Sequence, residues 1–477
     1  MLTAATERAR SGVLADETGT MLDGPAIEGA VAALAGGLRA AGVRRGDVVA
    51  WQAPNWHEVI LLYRACWRLG AIAGPIHHQA GPTDVERFLA VLQPRVWLPS
   101  EDIRGPGARY STLLEGTPVT VSAARPSDLA AVLFTSGSTG GPKAALHTQR
   151  GLAYKAEVMA AAHQLTPADA ILMPAPLAHV SGLLNAVLVA GAVPMRVHLM
   201  ARWDPAAALD TIDAATITFM IGPPTFFVSL MEAPSFREDR VTSLRLVSSG
   251  GAGVSPAFVD EARARLQATV KRTYGSTEAP TVTTSPSDAP LSRARDTDGQ
   301  AVGSVQLRVS DPATGTRRPA GEPGELWLRG PELFAGDVAA TQTQAAVTRG
   351  WFRTGDLATV DADGWLTVVG RIKDTIIRGG ENIAAAEVEL ILERHPDVVQ
   401  AVAVGYPDPR YGERVCAFVV ARRPFDLAAC QAWFEHEGVA RFKTPERVVT
   451  LEELPLLSAG KADRAVLRAH AEAGEPG

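Results

Sequence analysis

Apolar residues recur with a helical period near the start of the chain and then give way to short apolar runs. The apolar positions between residues 26 and 42 that share one helical face are Ile27, Val31, Leu34 and Leu38. Gly42 ends this predicted helix, a strand follows at 47–51, and a second helix over 55–69 ends at Gly70. Helices that alternate with strands predict mostly parallel sheets covered by helices, which is an α/β fold.

The pattern changes character after residue 371. A helix is predicted over 387–392, and two strands over 398–405 and 415–420 flank a turn at Pro407-Asp408. This order is typical of a small α+β unit of about 100 residues, which is a normal size for a domain.

The chain has 477 residues, more than a single hydrophobic core usually serves. We therefore predict two domains. Residues 1–371 are expected to form a large N-terminal domain of helix-covered mixed or parallel sheets. Residues 372–477 are expected to form a small, mobile C-terminal α+β domain.

Composition argues against several classes of protein. The net charge of −6 gives no basic surface for nucleic acid, and no basic amphipathic segment indicates membrane binding. The apolar stretches 171–195 and 214–231 are interrupted by prolines and polar residues, so they predict buried elements rather than membrane spans. The three cysteines, Cys66, Cys416 and Cys430, are too scattered for a disulfide framework or a zinc site. The first residues lack the apolar core of a signal peptide, so we expect a cytoplasmic protein.

A loop rich in glycine and hydroxyl groups follows the apolar run 130–134. Its candidate phosphate-binding residues are Thr135, Ser136, Gly137, Ser138, Thr139, Gly140 and Lys143. Glycines let backbone N–H groups converge on an anion, hydroxyls add donors, and lysine supplies a mobile positive charge. This is not a Walker A loop, because Pro142 precedes the lysine and Ala144 stands where Ser or Thr would bind magnesium. The loop nevertheless predicts a phosphate site.

Lysine is scarce in this chain. Of 46 basic residues only six are lysines, at positions 143, 155, 271, 373, 443 and 461. Three of them, Lys143, Lys373 and Lys461, lie in glycine-containing motifs with few apolar residues to pack. A compact ammonium group is not interchangeable with a planar guanidinium, so these three lysines are candidates for contact with a charged ligand.

Seven segments, together with the opening pattern from Gly46 to Ala71, resemble the adenylate-forming (AMP-binding) superfamily in its acyl-CoA synthetase branch. In chain order the segments are 135–143, 176–182, 249–252, 274–278, 351–356, 370–382 and 455–461. The resemblance covers nearly the whole chain. It implies activation of a carboxylic acid by ATP to an acyl adenylate, with Mg²⁺, followed by thioester formation with CoA.

The resemblance also implies which residues hold ATP outside the phosphate loop. They are Gly251, Ala252, Tyr274, Gly275, Ser276, Asp356 and Arg371. An aromatic ring at Tyr274 suits stacking on adenine, and the several lone pairs of the Asp356 carboxylate suit the two ribose hydroxyls. Arg371 is implied to contact the ribose as well.

Three residues are implied to act at the α-phosphate. Lys461 would bridge the carboxylate and the α-phosphate, and the Thr277 hydroxyl would meet the same phosphate. Glu278 offers the hard oxygen ligand that magnesium prefers, so it is the metal candidate. Leu457 stands where the family often has threonine, which puts the hydrogen bonding of the C-terminal loop in question.

The acyl pocket implied by the resemblance is bordered by His179, Val180 and Gly250. Phe226 is a further candidate, and for Phe226 and Phe227 the sequence leaves pocket and plain core equally open. In the C-terminal region, Lys373 falls on the hinge position of the family. The paired glycines Gly379 and Gly380 fall where the backbone approaches the pantetheine arm of CoA.

Several alternatives stay open at this point. An amino-acid adenylation domain would need an acidic group that 176–182 lacks, and an acyl-AMP ligase usually has an insertion for which 357–370 leaves no room. Transfer of the acyl group to a carrier protein, or to a nitrogen or oxygen nucleophile, remains open, as does an inactive nucleotide-binding regulator. The expected partners are a small carboxylic acid, ATP and CoA, without nucleic acid, and a homodimer stays open. The acid itself, aliphatic, alicyclic or aromatic, is not determined.

Overall fold

The computed structural model describes residues 12–135, 143–337, 346–457 and 461–474. The strands of the first part of the chain are β1 (Val13–Ala15), β2 (Met21–Leu22), β3 (Val48–Gln52), β4 (Ile72–Ile76), β5 (Val96–Leu98), β6 (Leu129–Thr135), β7 (Lys143–Thr148), β8 (Ala170–Met173), β9 (Arg196–Leu199), β10 (Phe219–Gly222), β11 (Leu246–Gly250), β12 (Thr269–Tyr274), β13 (Thr283–Thr284) and β14 (Gln300–Ala301). The later strands are β15 (Gln306–Ser310), β16 (Gly324–Arg329), β17 (Gly336–Asp337), β18 (Val347–Thr348), β19 (Trp351–Val360), β20 (Leu366–Arg371), β21 (Thr375–Arg378), β22 (Glu381–Ala384), β23 (Val398–Asp408), β24 (Gly412–Ala421) and β25 (Arg447–Thr450).

Helices cover these strands. They are α1 (Gly24–Ala40), α2 (His57–Leu69), α3 (Pro82–Leu92), α4 (Ser100–Ile103), α5 (Arg109–Leu114), α6 (Gln149–Ala162), α7 (Val180–Gly182), a π-helical stretch (Leu183–Val189), α8 (Ala190–Ala192), α9 (Pro205–Ala215), α10 (Pro224–Glu232), α11 (Pro256–Leu266), α12 (Leu291–Asp296), α13 (Ala385–Leu392), α14 (Leu427–His436) and α15 (Arg464–Ala473). Short 3₁₀ turns lie at Glu238–Val241, Ile372–Asp374 and Arg441–Lys443.

Two large sheets, mostly parallel, form the N-terminal domain. Over the described residues one sheet has the order β14-β13-β12-β11-β10-β8-β9-β1-β2, and the other has the order β17-β7-β6-β4-β3-β5. Their central strands are buried on both faces under helices, as parallel strands usually are. The predicted α/β fold, with a large N-terminal domain and a small C-terminal domain, is confirmed.

The first helix shows how a capping residue and an apolar pattern determine where a helix begins and which face it buries. The side chain of Asp23 accepts a hydrogen bond from the Ala26 N–H and caps the helix, and Pro25 stands in its first turn. The four apolar residues predicted to share a face are all buried in the core. The helix runs from Gly24 to Ala40, two residues earlier at each end than predicted, because the cap at Asp23 lies before the apolar pattern begins.

One side chain ties the two large sheets together. Asn55 follows β3 of the smaller sheet, and its Nδ2 lies 2.9 Å from the carbonyl oxygen of Ala175, beyond β8 of the larger sheet. Its Oδ1 accepts a hydrogen bond of 2.8 Å from the Leu177 N–H. Asn55 is buried, so these bonds are shielded from water and hold the backbone that follows β8 in place.

A third sheet joins the large domain to the small one. It has the order β15-β16-β19-β18 in the described residues, and β20 also pairs with β19, on the same side as β18. Asp356 on β19 lies directly opposite Arg371, the last residue of β20. The small C-terminal domain has its own sheet, β22-β21-β24-β23 with β25 beside β24, and α13, α14 and α15 pack on it.

The turn predicted at Pro407-Asp408 was placed too early. Strand β23 continues through both residues, and Pro407 lies opposite Glu413 of β24. β23 is at the end of the sheet order, so the missing N–H of proline can face away from the ladder. The chain reverses instead between Asp408 and Gly412.

The apolar stretches 171–195 and 214–231 form β8, β10 and short helices inside the N-terminal core. In the described part of the chain, no helix combines the length and the apolar character that crossing a membrane requires.

Candidate active site

The parallel strands of the larger sheet bring several candidate residues to one edge. β8, β10, β11 and β12 run in the same direction, so their carboxyl ends meet there. The chain leaving these ends carries 176–182, Phe226, Gly250 and Tyr274. The carboxyl edge of an open parallel sheet is where such folds usually bind ligands.

Hydrogen bonds to backbone atoms fix the segment that follows β12. Gly275 has no room for a side chain, since a Cβ there would lie 2.3 Å from the Thr281 nitrogen. The carbonyl oxygen of Thr277 accepts a hydrogen bond of 2.8 Å from His147 Nε2, and the Ser276 N–H donates to Ala279 across 2.9 Å. The Phe334 N–H donates to the carbonyl oxygen of Glu278 across 2.8 Å. The side chains of Thr277 and Glu278 therefore project from a fixed turn and remain half-exposed.

His147 is a site residue that the sequence reasoning missed. It lies in β7 and is almost fully buried, and burial lowers its pKa to about 4. The ring is therefore neutral at pH 7, and its Nε2–H donates to the turn at Thr277. Its place just after the phosphate loop was the one available signal, and a lone histidine in an apolar strand usually indicates only core packing.

Asp356 is the centre of a three-residue cluster. The Tyr274 hydroxyl donates to its Oδ2 across 2.5 Å, and the Arg371 Nε donates to its Oδ1 across 3.1 Å. Burial and the nearby Asp356 charge raise the pKa of Tyr274 well above its usual value, so the phenol stays protonated. Asp356 is only 6% exposed, but a carboxylate offers about four lone-pair positions and two of them remain for a ligand.

Lys461 comes from the C-terminal domain yet lies in this N-terminal site. Its Cε is 3.5 Å from the position of a Cβ added to Gly251, where the chain turns with φ of +79°. Burial, together with the guanidinium of Arg371, lowers the pKa of Lys461, while the carboxylates of Asp356 and Glu278 oppose this shift. The charges of two carboxylates of the larger domain thus act on this one ammonium group.

Backbone hydrogen bonds join the two ends of the loop that carries Lys461. The Leu457 N–H donates to the Lys461 carbonyl oxygen across 2.7 Å, and Leu456 pairs with Ala462. The side chain of Leu457 takes no part in these bonds, so leucine in place of threonine leaves them intact. Residues 458–460 lie outside the described residues.

The end of β11 closes one side of the site. Gly250 lies opposite Thr273 of β12, and a Cβ on Gly250 would approach the Thr273 carbonyl oxygen to 2.2 Å. Only glycine fits at this point. Gly251 and Ala252 follow with exposed backbone, on the same side as Lys461.

The acyl-pocket candidates separate into lining and core residues. Val180 begins α7 and is half-buried, next to His179, whose Nε2 is buried without a hydrogen-bond partner in the described residues. The Phe226 ring sits over Gly222 and stacks on Trp203 with 4.7 Å between ring centres. Phe227 is fully buried in the core behind the sheet. Phe226 therefore remains a pocket candidate, and Phe227 is core.

The phosphate loop is only partly within the described residues. Thr135 ends β6 and pairs with Lys143, which begins β7 as an exposed residue. The predicted residues Ser136, Gly137, Ser138, Thr139 and Gly140 lie outside the described residues. The two ends of the loop are thus fixed side by side on an antiparallel pair.

The hinge and CoA candidates lie at the start of the C-terminal domain. Lys373 is exposed within the 3₁₀ turn Ile372–Asp374. Gly379 and Gly380 link β21 to β22 with φ of +59° and +90°. Two consecutive positive φ values are typical of the tight turns that join antiparallel strands, so the turn itself requires both glycines. A Cβ on Gly380 would meet no atom within 4 Å.

Comparison with known proteins shows the family to which the chain belongs. The chain matches the family described as AMP-binding enzyme over residues 26–336 and the AMP-binding enzyme C-terminal domain over residues 387–461. It is 32% identical to a medium-chain fatty-acid–CoA ligase of Escherichia coli (strain K12), over 95% of this chain and 86% of that protein. It is 33% identical to an indoleacetate–CoA ligase of Aromatoleum aromaticum, over 91% of this chain and 90% of that protein.

Solved structures agree in fold along nearly the whole chain. ATP-bound MatB from Rhodopseudomonas palustris matches with a TM-score of 0.92 at 27% identity, covering 99% of both chains. The amide bond synthetase McbA from Marinactinospora thermotolerans matches with a TM-score of 0.86 at 27% identity, covering 98% of this chain and 99% of that one. The chain therefore belongs to the AMP-binding enzyme family, among relatives that are acyl-CoA ligases.

Proposed function

We propose that this protein activates a carboxylic acid with ATP to an acyl adenylate and then transfers the acyl group to the thiol of CoA. The observation that carries the proposal is the position of Lys461, which comes from the small domain, lies beside Gly251 of the large one and is influenced by the charges of Glu278 and Asp356. A lysine near a carboxylate proposed for the ribose and a carboxylate proposed for the metal would meet the α-phosphate between them.

In the first step the carboxylate oxygen forms a bond to the α-phosphorus of ATP, and the bond from that phosphorus to the pyrophosphate oxygen breaks. Negative charge gathers on the phosphate oxygens, so positioning and electrostatic stabilisation supply most of the catalysis. Lys461 stabilises that charge, and the Thr277 hydroxyl donates to the α-phosphate. Asp356 and Arg371 hold the ribose, Tyr274 stacks on the adenine, and Gly251, Ala252, Gly275 and Ser276 border the base and phosphates with their backbone.

Magnesium fits the residues at this site. The Glu278 carboxylate is half-exposed on a fixed turn and makes no hydrogen bond or ion pair with another described residue. Carboxylate oxygen is a preferred ligand of Mg²⁺, which would neutralise charge on the phosphates when bound. Glu278 would hold the ion, and the loop from Thr135 to Lys143 would hold the β- and γ-phosphates.

In the second step the sulfur of CoA attacks the acyl carbon and the bond to AMP breaks. We propose that the small domain begins at residue 372 and turns about Lys373 between the two steps, because Lys461 occupies the site in the present orientation. Gly379 and Gly380 would then face the pantetheine arm. All three cysteines are buried free thiols, as is typical of a reducing compartment, and we propose the cytoplasm as the place of action.

A panel assay tests the proposal. Release of pyrophosphate is measured with aliphatic, alicyclic and aromatic acids, each with and without CoA. We expect acid-dependent pyrophosphate release, and formation of AMP and thioester once CoA is present. Pyrophosphate release without any thioester would contradict the CoA step.

The likeness to the amide bond synthetase McbA favours a second candidate, transfer of the acyl group to an amine. Replacing CoA by a primary amine in the same assay separates the two. An amide formed faster than the thioester, at equal acceptor concentration, would make the amine the acceptor.

A further inference from the structure

One side chain connects the turn that carries Thr277 and Glu278 to the strand that carries the phosphate-loop lysine. The turn follows β12 of the larger sheet, whereas Lys143 begins β7 of the smaller sheet. His147 of β7 donates its Nε2–H to the Thr277 carbonyl oxygen across 2.8 Å. Because a carbonyl oxygen can only accept, the proton of the neutral ring lies on Nε2. This hydrogen bond therefore joins the turn of one sheet to the phosphate-loop strand of the other.

His147 lies on the same face of β7 as Lys143. Side chains alternate along a strand, so residues 143, 145 and 147 share one face of the sheet. Ala145 and His147 are each 1% exposed, whereas Lys143 at the start of the strand is exposed. The face of β7 that holds the turn at Thr277 thus continues to the lysine proposed for the β- and γ-phosphates.

A second connection between the turn and β7 runs through the backbone. The Phe334 N–H donates to the Glu278 carbonyl oxygen across 2.8 Å, and the Ala335 N–H donates to the Leu146 carbonyl oxygen across 2.7 Å. These bonds use only main-chain atoms, so a change of side chain at residue 147 removes none of their donors or acceptors. The contribution of His147 can therefore be tested while the backbone connection is kept.

We propose that His147 is a positioning residue for adenylate formation, which holds the turn of Thr277 and Glu278 at a fixed place relative to the phosphate-loop strand. The inference rests on the proposed function and on the roles proposed there for Thr277 and Glu278. A turn fixed to β7 keeps the Glu278 carboxylate at a constant distance from the groups that would hold the β- and γ-phosphates. Transfer at phosphorus depends mainly on such alignment, and a displacement of about 1 Å can lower a rate by about 100-fold.

The proposal predicts different effects on the two half-reactions. Attack of the carboxylate on the α-phosphorus expels pyrophosphate, whereas attack of CoA on the acyl adenylate involves no pyrophosphate. Loss of the hydrogen bond from His147 should therefore slow the first step and leave the second nearly unchanged. A general loss of packing would impair both steps, so the two rates together distinguish positioning from destabilisation.

Two substitutions at residue 147 test the hydrogen bond directly. His147→Leu fills the site without a donor and should lower the single-turnover rate of adenylate formation by about tenfold or more. His147→Gln keeps an amide N–H of similar reach and should recover most of that rate. Thioester formation is measured separately from preformed acyl adenylate and CoA, and should stay within about twofold of the wild-type rate in both variants.

A binding measurement gives a readout that does not depend on catalysis. Titration calorimetry with ATP, in the presence of Mg²⁺ and in the presence of EDTA, gives the factor by which the ion tightens nucleotide binding. His147→Leu should reduce this factor by about tenfold, because the Glu278 carboxylate is no longer held in place, and His147→Gln should largely restore it. A wild-type protein that binds ATP equally well in both solutions would overturn the inference.

His163→Leu is the matched control. His163 is also a buried imidazole, but it packs on Phe219 at the start of β10, whereas the candidate site lies at the carboxyl ends of these strands. Its loss should leave both half-reactions and the Mg²⁺ factor unchanged. Thermal unfolding is measured for each variant. If His147→Leu does not fold, His147→Met supplies a more adaptable apolar side chain without a donor.

The outcomes separate the inference from the function on which it rests. His147 does not position the turn if His147→Leu leaves the first step unchanged, if it slows both steps equally, or if the Leu and Gln variants behave alike. Absence of acid-dependent pyrophosphate release in the wild-type protein would overturn the acid-activating function instead. The calorimetric comparison would still decide whether His147 positions the turn for a bound nucleotide.

Discussion

At the scale of single residues, the cluster around Asp356 shows how one carboxylate serves structure and ligand together. Its two oxygens accept from Tyr274 and Arg371, which come from different strands, and this fixes the carboxylate in the orientation proposed for the ribose. Removing Asp356 would therefore also leave a buried tyrosine hydroxyl without its partner, at a cost of about 1–3 kcal/mol.

We predict that Asp356→Ala raises the KM for ATP by about tenfold or more, because charge-assisted hydrogen bonds to the ribose are lost. The measurement compares ATP with 2′,3′-dideoxy-ATP in pyrophosphate release. The control Tyr274→Phe removes the tyrosine hydroxyl but keeps the carboxylate, so it should still distinguish the two nucleotides. If the alanine variant distinguishes them as well as the wild type does, Asp356 does not bind the ribose.

Lys461→Ala should lower the rate of adenylate formation by about 100-fold or more, since a positioned cation at a phosphoryl transition state is lost. Carboxylate-dependent exchange of pyrophosphate into ATP measures this step. Lys443→Ala is the control, because Lys443 is another lysine of the C-terminal domain, paired with Glu387 across 2.5 Å. Near-normal exchange in the Lys461 variant would remove this lysine from the first step.

The sequence singled out residues that stand in a motif with its own chemistry, and it did not single out residues whose contacts cross the fold. Lys461, Glu278 and Asp356 each stand in a recognisable segment, and the structure brings them together. His147 has no such segment. Its contact with Thr277 depends on how two separate sheets pack, and nothing in the local pattern around residue 147 encodes that distance.

At the scale of elements, the hairpin of β21 and β22 gives a second reason for its two glycines. Gly379 and Gly380 were predicted for close approach of CoA, and the structure shows an independent need for them in a tight turn with positive φ. A substitution at Gly380 therefore strains the turn as well as filling space, and a test of CoA binding must separate these two effects.

Gly380→Leu should slow thioester formation by about tenfold or more while adenylate formation continues, since the side chain would enter open space proposed for pantetheine. The matched control is Gly438→Leu. Gly438 lies in the same domain with φ of +66° and also has no atom within 4 Å of an added Cβ. Single-turnover consumption of the adenylate after adding CoA is measured. Equal losses in the two variants would mean that backbone strain, and not a blocked path, is responsible.

Element boundaries followed the sequence closely where a cap or a glycine marks them, as at Gly70, which ends α2 with φ of +69°. The predicted boundary was wrong where the position of a strand within the sheet determines its end. Pro407 reads as a turn residue, yet it continues a strand because β23 is at the edge. That strand order depends on pairings distant in sequence, which a local pattern does not contain.

At the scale of the whole molecule, the small domain is docked with Lys461 in the site. Lys373 lies in a 3₁₀ turn, whose φ is close to the value that proline requires. Proline at this position should therefore fit the observed orientation and restrict any other.

We predict that Lys373→Pro keeps adenylate formation and slows thioester formation by about tenfold or more, whereas Lys373→Ala leaves both rates near normal. The two half-reactions are measured separately under single-turnover conditions. If proline slows both half-reactions equally, or neither, the hinge at residue 373 is wrong.

Asn55 has a consequence for how this enzyme can diverge. Through Ala175 and Leu177 it ties the backbone beside the proposed acyl pocket to the sheet that also carries the two ends of the proposed phosphate loop. A lineage built on this scaffold can exchange side chains along the pocket and acquire a new acid without remodelling the machinery that handles ATP. Relatives at 32% and 33% identity bear the names of a medium-chain fatty acid and of indoleacetate, so the acid named differs among sequences that are similar to this one.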